Sequence, residues 1–428
     1  MKTKNDYHAL TAAEDALKIV RECFMEERKG NSGARNKTKD RLKEHFIKTA
    51  DGSYTLNSNK VNDKSETMHT HHGAITESME KFVKPAMLKG KKEVKILDIC
   101  SGLGYNAASC IEFLDDDVDI EIDMIEISKE TLASSLFIEN PIKSYDIIKR
   151  AVENKLYDDG TLAFKFNKEK IPDRIKINIY LSDARYVIKE IGKKYDAVFL
   201  DPFSPLKSPE LYTLEFFLIL RNLLKDKGII LTYTSAAPVR SAMVQAGFYV
   251  GEGPLFGRKS GGTVASNDSE IIEKSLSDND ERMIALSDAG VPFRDPELNA
   301  SSDEIIKKRA DERKSVRGTK KFASTVKTPV YLGKDVNDQR LERRILRNIN
   351  ALGINDLKSK EAEYLICPQF DECICGCGNP KLDNSYSRIT EMINRLSKIV
   401  DKNNVEIYKT YWLFNVKLVY RSVWLIFN

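Results

Sequence analysis

Four carboxylates close apolar runs in this 428-residue chain: Asp98 in VKILDIC, Glu126 in IEIDMIE, Asp183 in SDAR and Asp201 in AVFLDPFSP. Runs of this kind make buried strands of parallel sheets, and open α/β sheets bind ligands beyond the carboxyl ends of their strands. A carboxylate there can accept hydrogen bonds from hydroxyls or amines, or take a proton from a reacting group. One acidic strand end is common by chance; several in succession point to a shared ligand.

Asp98 leads into Ser101-Gly102-Leu103-Gly104, where glycine lets the backbone approach a ligand and the next helix opens with unpaired N–H groups. The G-x-G-x-x-G fingerprint is absent, because Ser101 precedes Gly102 and Ala107 holds the third position. Taken alone, this turn could equally pack a helix on a strand. Glu126 lies 28 residues after Asp98, a spacing that suits an acceptor for both ribose hydroxyls of a nucleotide. Asp201 is followed by Pro202 and Pro205, which stiffen its loop. A loop cap after the strand is the plainer reading of Asp201.

The elements that must hold these residues follow from the apolar pattern. Strands are expected at 94–100, 120–128, 175–185, 197–200, 228–235 and 261–266, the last a terminal strand. Helices are expected between them at 107–114, 129–155, 185–192, 209–225 and 241–248. This alternation predicts βαβ units in a doubly wound, mostly parallel, seven-stranded α/β sheet. Upstream, residues 8–50 read as helical with polar breaks, 49–56 as a turn and strand, and 72–83 as an amphipathic helix. The expected organisation is an N-terminal extension with a lid (1–90), a core (91–267), a basic tail (268–332) and a C-terminal region (333–428).

A composition of 41% hydrophobic and 31% charged residues suits sizeable soluble cores, and a net charge of +4 decides little. Its distribution says more: residues 301–350 carry 14 Lys/Arg against 7 Asp/Glu, as a surface approaching nucleic acid would, or an ordinary solvated face. The polar start MKTKNDYHAL has no secretory apolar region, and seven cysteines, an odd number, read as reduced thiols of a cytoplasmic protein. The apolar end, 411–428, is broken by Lys417 and Arg421 and is read as a core or docking segment, with no membrane span. Cys367, Cys373, Cys375 and Cys377 follow the spacing C-x5-C-x-C-x-C. They could bind zinc or remain free thiols, the spacing being tighter than common paired zinc ligands.

The motifs TADGSYTL, ETMHTHHGAITES, LDICSGLGYN, SDAR, FLDPFSPLKSPELYT, TYTSAAPVR, AGF and FGRKSGGTVAS occur in this order. Together they resemble the methyltransferase domain of the tRNA 5-methylaminomethyl-2-thiouridine biosynthesis (MnmC-like) family. SDAGVPFRDPELNASSDEII (287–306) resembles the tail of its stand-alone members, so the likeness covers roughly 45–315. It implies a class I S-adenosyl-L-methionine (SAM) methyltransferase with a Rossmann-like fold. No G-x-G-x-x-G follows residue 267, so it implies a methyltransferase without the flavin domain of bifunctional relatives.

The resemblance implies SAM contacts at Asp98, Ser101, Gly102, Gly104, Asn106, Glu126, Asp183 and Ala184, with Asp183 reading the adenine amino group. Glu66, His69 and Glu77 match the upstream motif and would close over SAM; a packed core role is the other reading of His69. The implied reaction methylates the amine of 5-aminomethyl-2-thiouridine at the tRNA wobble position, with Asp201 orienting the amine and accepting its proton. Phe203 would wall the base, Tyr233 and Ser235 would sit near it, and Arg258 and Lys259 would contact phosphate. A separate enzyme would supply the aminomethyl group.

Two competing functions remain. An aminopropyltransferase shares this architecture, and LEFF (214–217) echoes its Asp–Pro and helix pattern, but Lys207 makes the loop a poor host for a polycation. A non-catalytic tRNA-binding protein of the same fold is the other.

Overall fold

The computed structural model describes residues 9–60, 64–139, 141–162, 170–257, 261–378 and 382–402. Arg258, Lys259 and the apolar segment 411–428 lie outside the described residues. The chain forms two compact units. The first takes Met1–Ser275 and Phe293–Lys307; the second takes Leu276–Pro292 and Lys308–Asn428.

The first unit is built on a seven-stranded sheet. Its strands are β1 (Glu93–Ile99), β2 (Asp119–Glu126), β3 (Ile175–Leu181), β4 (Tyr195–Leu200), β5 (Leu224–Thr232), β6 (Tyr249–Glu252) and β7 (Thr263–Ser266). The spatial order is β3-β2-β1-β4-β5-β7-β6, with β7 antiparallel to both neighbours and the other pairings parallel. The fold is therefore the doubly wound, mostly parallel α/β architecture expected from the alternating pattern.

Two details differ from expectation. The 261–266 run is the last strand in sequence but sits inside the sheet, while Tyr249–Glu252, four residues of mixed polarity with no run of its own, forms the edge. The stretch 129–155 is two elements, because Pro141 lacks the N–H that a continuous helix requires: Lys129–Ala133 runs into a 3-10 turn, and Tyr145–Asp158 follows.

Upstream of the sheet, residues 8–50 divide into helices Glu14–Arg28 and Ala34–Leu42 and a short strand, Ile47–Lys48, paired antiparallel with Tyr54–Thr55. Gly30, at a φ of 89°, ends the first helix where a side chain would be strained. The 72–83 segment begins as the α-helix Ala74–Ser78, widens to a π-helical turn over Met79–Val83 and tightens to 3-10 at Lys84–Ala86, which contains Pro85.

The TADGSYTL and HGAITES motifs interlock around one carboxylate. Asp51 accepts from Thr76 N and Oγ1 at 2.8 Å each and from Ser53 N at 3.0 Å, while Ser53 Oγ accepts from Ala74 N at 2.8 Å. Asp51 thus caps the helix at Ala74 from 25 residues away. Gly73 has a φ of 120°, and a Cβ there would fall 1.9 Å from Asp51 Cγ, so only glycine lets the motifs meet. Gly73→Ala is expected to destabilise the protein by about 2–3 kcal/mol in chemical denaturation. Gly90→Ala, also at positive φ but with open space around it, should cost only about 1 kcal/mol.

In the second unit, Asp288 is fully buried and gathers Arg317 at 2.7 Å, Arg313 at 3.1 Å and Ser324 N at 2.6 Å. The helix Gln339–Asn350 buries Ile345 and Ile349 and exposes Arg340, Arg343, Arg344 and Arg347. Among the described residues, no helix is long and apolar enough to cross a membrane.

Candidate active site

The sheet register brings four strand ends to one level. Ile99 is paired with Ile125 on one side and Leu200 on the other, and Leu200 with Thr232. Residues just beyond these positions, Cys100, Glu126, Asp201 and Tyr233, therefore share one edge of the sheet. The chain order reverses at β1, the switch point where such sheets open a crevice. A cavity of about 670 Å³ lies there, large enough for a nucleotide-sized ligand.

The β1 turn is bonded to the end of β2. Glu126 Oε2 accepts from Gly102 N at 3.0 Å and Oε1 from Ser128 N at 2.9 Å. Burial pushes the Glu126 carboxyl up, and these two backbone donors pull it back towards the ionised form. Two oxygens offer about four acceptor sites, more than the backbone donors take, so acceptor capacity remains for a ligand hydroxyl. Cys100 adopts a φ of 64° without being glycine, a strained conformation held by its N–H to Ile125 O at 2.9 Å.

Asn106 joins the two aspartates of the central strands. Its Nδ2 donates to Asp98 Oδ1 at 3.4 Å and Asp201 Oδ2 at 3.3 Å. Asp98 is fully buried behind the cavity wall with Oδ2 unpartnered, and desolvation pushes its carboxyl up to about 7. Asp201 is half-buried and lines the cavity; desolvation, with the charge of Glu77 added, pushes it up to about 8.

Of the other residues singled out in the sequence, Ser101, Gly102, Asp183, Ala184, Glu66, His69, Glu77, Phe203 and Tyr233 line the cavity. Asp98, Gly104 and Ser235 do not. Gly104 serves packing instead: at a φ of 82°, its missing Cβ would fall 2.7 Å from Ile148 Cγ2.

Asp183 caps the helix Ala184–Glu190 by accepting from Arg185 N at 2.9 Å, and it is also ion-paired to the Arg185 guanidinium at 2.8 Å. That buried arginine reaches Asp295 at 3.0 Å and Ala300 O at 2.8 Å, so the FRDPELNA segment braces the Asp183 corner. Glu66 accepts from Ser204 Oγ at 2.8 Å and lies 3.7 Å from Lys207, fastening the upstream segment to the loop after Asp201. His69 bonds Thr55 and sets its ring edge-on to Tyr105 at 5.4 Å; burial lowers it to about 4, so it is neutral at physiological pH.

Sequence reasoning missed Lys81 and Glu210. Lys81 is buried on the π-helical turn, 3.3 Å from Glu77. The Glu77–Lys81 spacing of one helical turn on a buried face was the available signal. Glu210, buried in the Pro209–Tyr212 turn, accepts from Ser302 Oγ at 2.9 Å and carried no comparable signal.

Among the described residues the cavity is lined by six carboxylates, Glu66, Glu77, Glu126, Asp183, Asp201 and Glu210, against one ammonium, Lys81. Glu126 and Asp201 form no ion pair within that set. This donor set fits a ligand that brings hydroxyls to Glu126 and positive charge to the centre, as the ribose, sulfonium and ammonium of SAM do.

The sheet and cavity define a class I SAM-dependent methyltransferase with a Rossmann-like fold. Residues 148–268 match the S-adenosyl-L-methionine-dependent methyltransferase family. The chain is 37% identical over 280 residues to an uncharacterized protein of Methanocaldococcus jannaschii, covering 65% of this chain and 75% of that protein. It is 31% identical over 170 residues to the bifunctional tRNA 5-methylaminomethyl-2-thiouridine biosynthesis protein MnmC of Leptospira borgpetersenii, covering 38% of this chain and 25% of that one. The crystal structure of MnmC2 from Aquifex aeolicus aligns with a TM-score of 0.52 at 27% identity, over 72% of this chain and 94% of that one. The chain carries an MnmC-like, SAM-dependent methyltransferase domain and belongs to one family with the M. jannaschii protein.

Proposed function

We propose that this methyltransferase transfers a methyl group to the primary amine of a 5-aminomethyl-(2-thio)uridine at the wobble position of tRNA. The observation that carries the reading is the Asp201 carboxyl, lining the same cavity as Glu126, the two following strands that flank β1 on either side. The chain spans about a quarter of the bifunctional MnmC proteins it matches, so their substrate is carried over here as part of the proposal.

Bound SAM supplies an electrophilic methyl group on sulfur. Glu126 takes the ribose hydroxyls, the Gly102 turn gives the cofactor close backbone contact, and Asp183 and Ala184 border the base. Entry of a cationic ligand restores the ionised form of Asp201, which accepts a hydrogen bond from the substrate ammonium and then its proton. The amine left neutral by that transfer would be free to take the methyl group that bound SAM would supply, the thioether being the leaving group. Asn106 fixes the Asp201 carboxyl from behind, and Pro202 and Phe203 wall the acceptor. Holding nitrogen, methyl carbon and sulfur in line supplies much of the acceleration. Such a reaction is cytoplasmic and draws on another enzyme for the aminomethyl group.

The test incubates the protein with methyl-labelled SAM and bulk tRNA lacking wobble methylation, followed by digestion to nucleosides. Label is expected in a 5-methylaminomethyl uridine. RNA free of label, with methylthioadenosine released when decarboxylated SAM and a polyamine are supplied instead, would replace this reading by aminopropyl transfer.

The exposed arginines of Gln339–Asn350 form no ion pair among the described residues and suit phosphate contacts. Replacing Arg343, Arg344 and Arg347 with alanine should weaken tRNA binding in a filter assay. The slope of log K against log salt should become shallower by about 1 for each arginine that meets a phosphate, with SAM affinity unchanged.

A further inference from the structure

The second unit contains a cluster of thiols unrelated to methyl transfer. Cys367 opens the turn that follows the helix Lys360–Ile366, and Cys373, Cys375 and Cys377 lie on the loop beyond it. The four Sγ atoms lie within 4.8 Å of one another, yet none is in a disulfide. Cys373 Sγ stands 3.8 Å from Cys367, 4.0 Å from Cys375 and 3.7 Å from Cys377. A single tetrahedral ion with bonds of about 2.3 Å to sulfur requires an S···S separation of about 3.8 Å. Disulfide bonding requires about 2 Å, and an iron–sulfur cluster spreads its thiolates over several metal atoms and therefore farther apart.

Hydrophobic burial does not explain this convergence. Residues 371–378 include no fully buried residue and one half-buried aliphatic side chain, Ile374, too little to anchor the loop against its conformational entropy. Its fold is instead directed at sulfur. Gly376 and Gly378 adopt φ of 82° and 69°, which turn the chain tightly enough for alternate cysteines to face one point. Gly378 N donates to Cys373 Sγ at 3.3 Å, and Arg395 Nη2 to Cys377 Sγ at 3.5 Å, contacts that favour thiolates. Arg395 is itself fixed by Glu391 at 2.7 Å, by Tyr364 O at 2.7 Å and by the Tyr364 ring at 4.5 Å from its guanidinium carbon. Four thiolates around a divalent ion carry a net charge of −2, which a buried guanidinium partly offsets.

We propose that Cys367, Cys373, Cys375 and Cys377 bind one zinc ion in a closed, structural site that fastens the 370–378 loop to the turn after the helix Lys360–Ile366. All four positions are taken by protein, which leaves no place for a substrate or reacting water.

Elemental analysis of the full-length protein, purified without chelator, should give about one zinc ion per chain. Cobalt added to stripped protein should produce the intense visible bands of a tetrahedral tetrathiolate site. Cys375→Ser and Cys377→Ser, which alter exposed or half-exposed positions, should lose the metal; both the zinc content and the cobalt spectrum are readable even if the buried Cys367→Ser fails to fold. Hydrogen exchange across 360–378 should rise on chelation. Four freely titrating thiols with no zinc uptake would overturn the proposal. So would disulfides found under non-reducing conditions, or iron accompanied by acid-labile sulfide.

Discussion

Asp201→Asn is expected to lower kcat for methyl transfer by about 10²–10⁴-fold while leaving SAM affinity within a few-fold of the parent. The amide preserves shape and can still meet Asn106, so the loss falls on proton acceptance and on the charge that orients the acceptor. The pH profile separates this from a packing defect. Asp201 is pushed up to about 8, so kcat/KM of the parent should rise with pH through that region, and the limb should move or vanish in the variant. Equal loss of SAM binding would shift Asp201 to the cofactor side and sink its assigned role.

Stability should carry the same signature with the opposite slope. The unfolded chain releases the Asp201 proton near its ordinary value of 3.8, while the folded chain retains it up to about 8. Between these values the folded state binds more protons, so its stability falls as pH rises. Asp98, at about 7, contributes in the same direction over a narrower window. The melting temperature of Asp201→Asn relative to the parent should therefore climb from about pH 4 to about pH 8 and level off above. A difference independent of pH would show that the carboxyl is solvated and ordinary.

Glu126→Ala is expected to weaken SAM binding by about 10²-fold or more in calorimetry, with a smaller loss of stability. Two charge-assisted hydrogen bonds to ribose are each worth about 1.5–3 kcal/mol, and the change also strands the Gly102 and Ser128 N–H groups that now meet the carboxylate. Glu126→Gln keeps one carbonyl oxygen but turns an NH₂ towards a backbone donor, so its effect should fall between parent and alanine. If both variants bind SAM as the parent does, the ribose lies elsewhere in the cavity.

The sheet was legible because its buried central strands are rich in apolar residues, and two of them lead into a carboxylate that lines the cavity. Asp201 and Glu126 stood out on that basis. Asp98 looked equivalent in sequence, yet it sits behind the wall, because side-chain direction at a strand end depends on where the turn begins. The edge strand Tyr249–Glu252 was invisible, being four residues paired through backbone and lacking an apolar run. Arg185 and Asp295 lie 110 residues apart, and nothing local marks them as partners. The cysteines were conspicuous in spacing, but their convergence depends on backbone angles at Gly376 and Gly378 that composition alone does not specify.

The bracing of Asp183 through Asp295 bears on the order in which the site can be completed during synthesis. The ribosome delivers all seven strands by Ser266, then spends Leu276–Pro292 on the second unit before returning Phe293–Lys307 to the first. Until that late segment emerges, Arg185 lacks Asp295 and Ala300, and Glu210 lacks Ser302. A nascent or truncated chain ending after the sheet would hold a formed scaffold around an unbraced Asp183 corner. Cofactor capture would then wait on a peptide some thirty to thirty-five residues downstream of the last strand, which couples the maturation of the pocket to passage of the chain through the second unit.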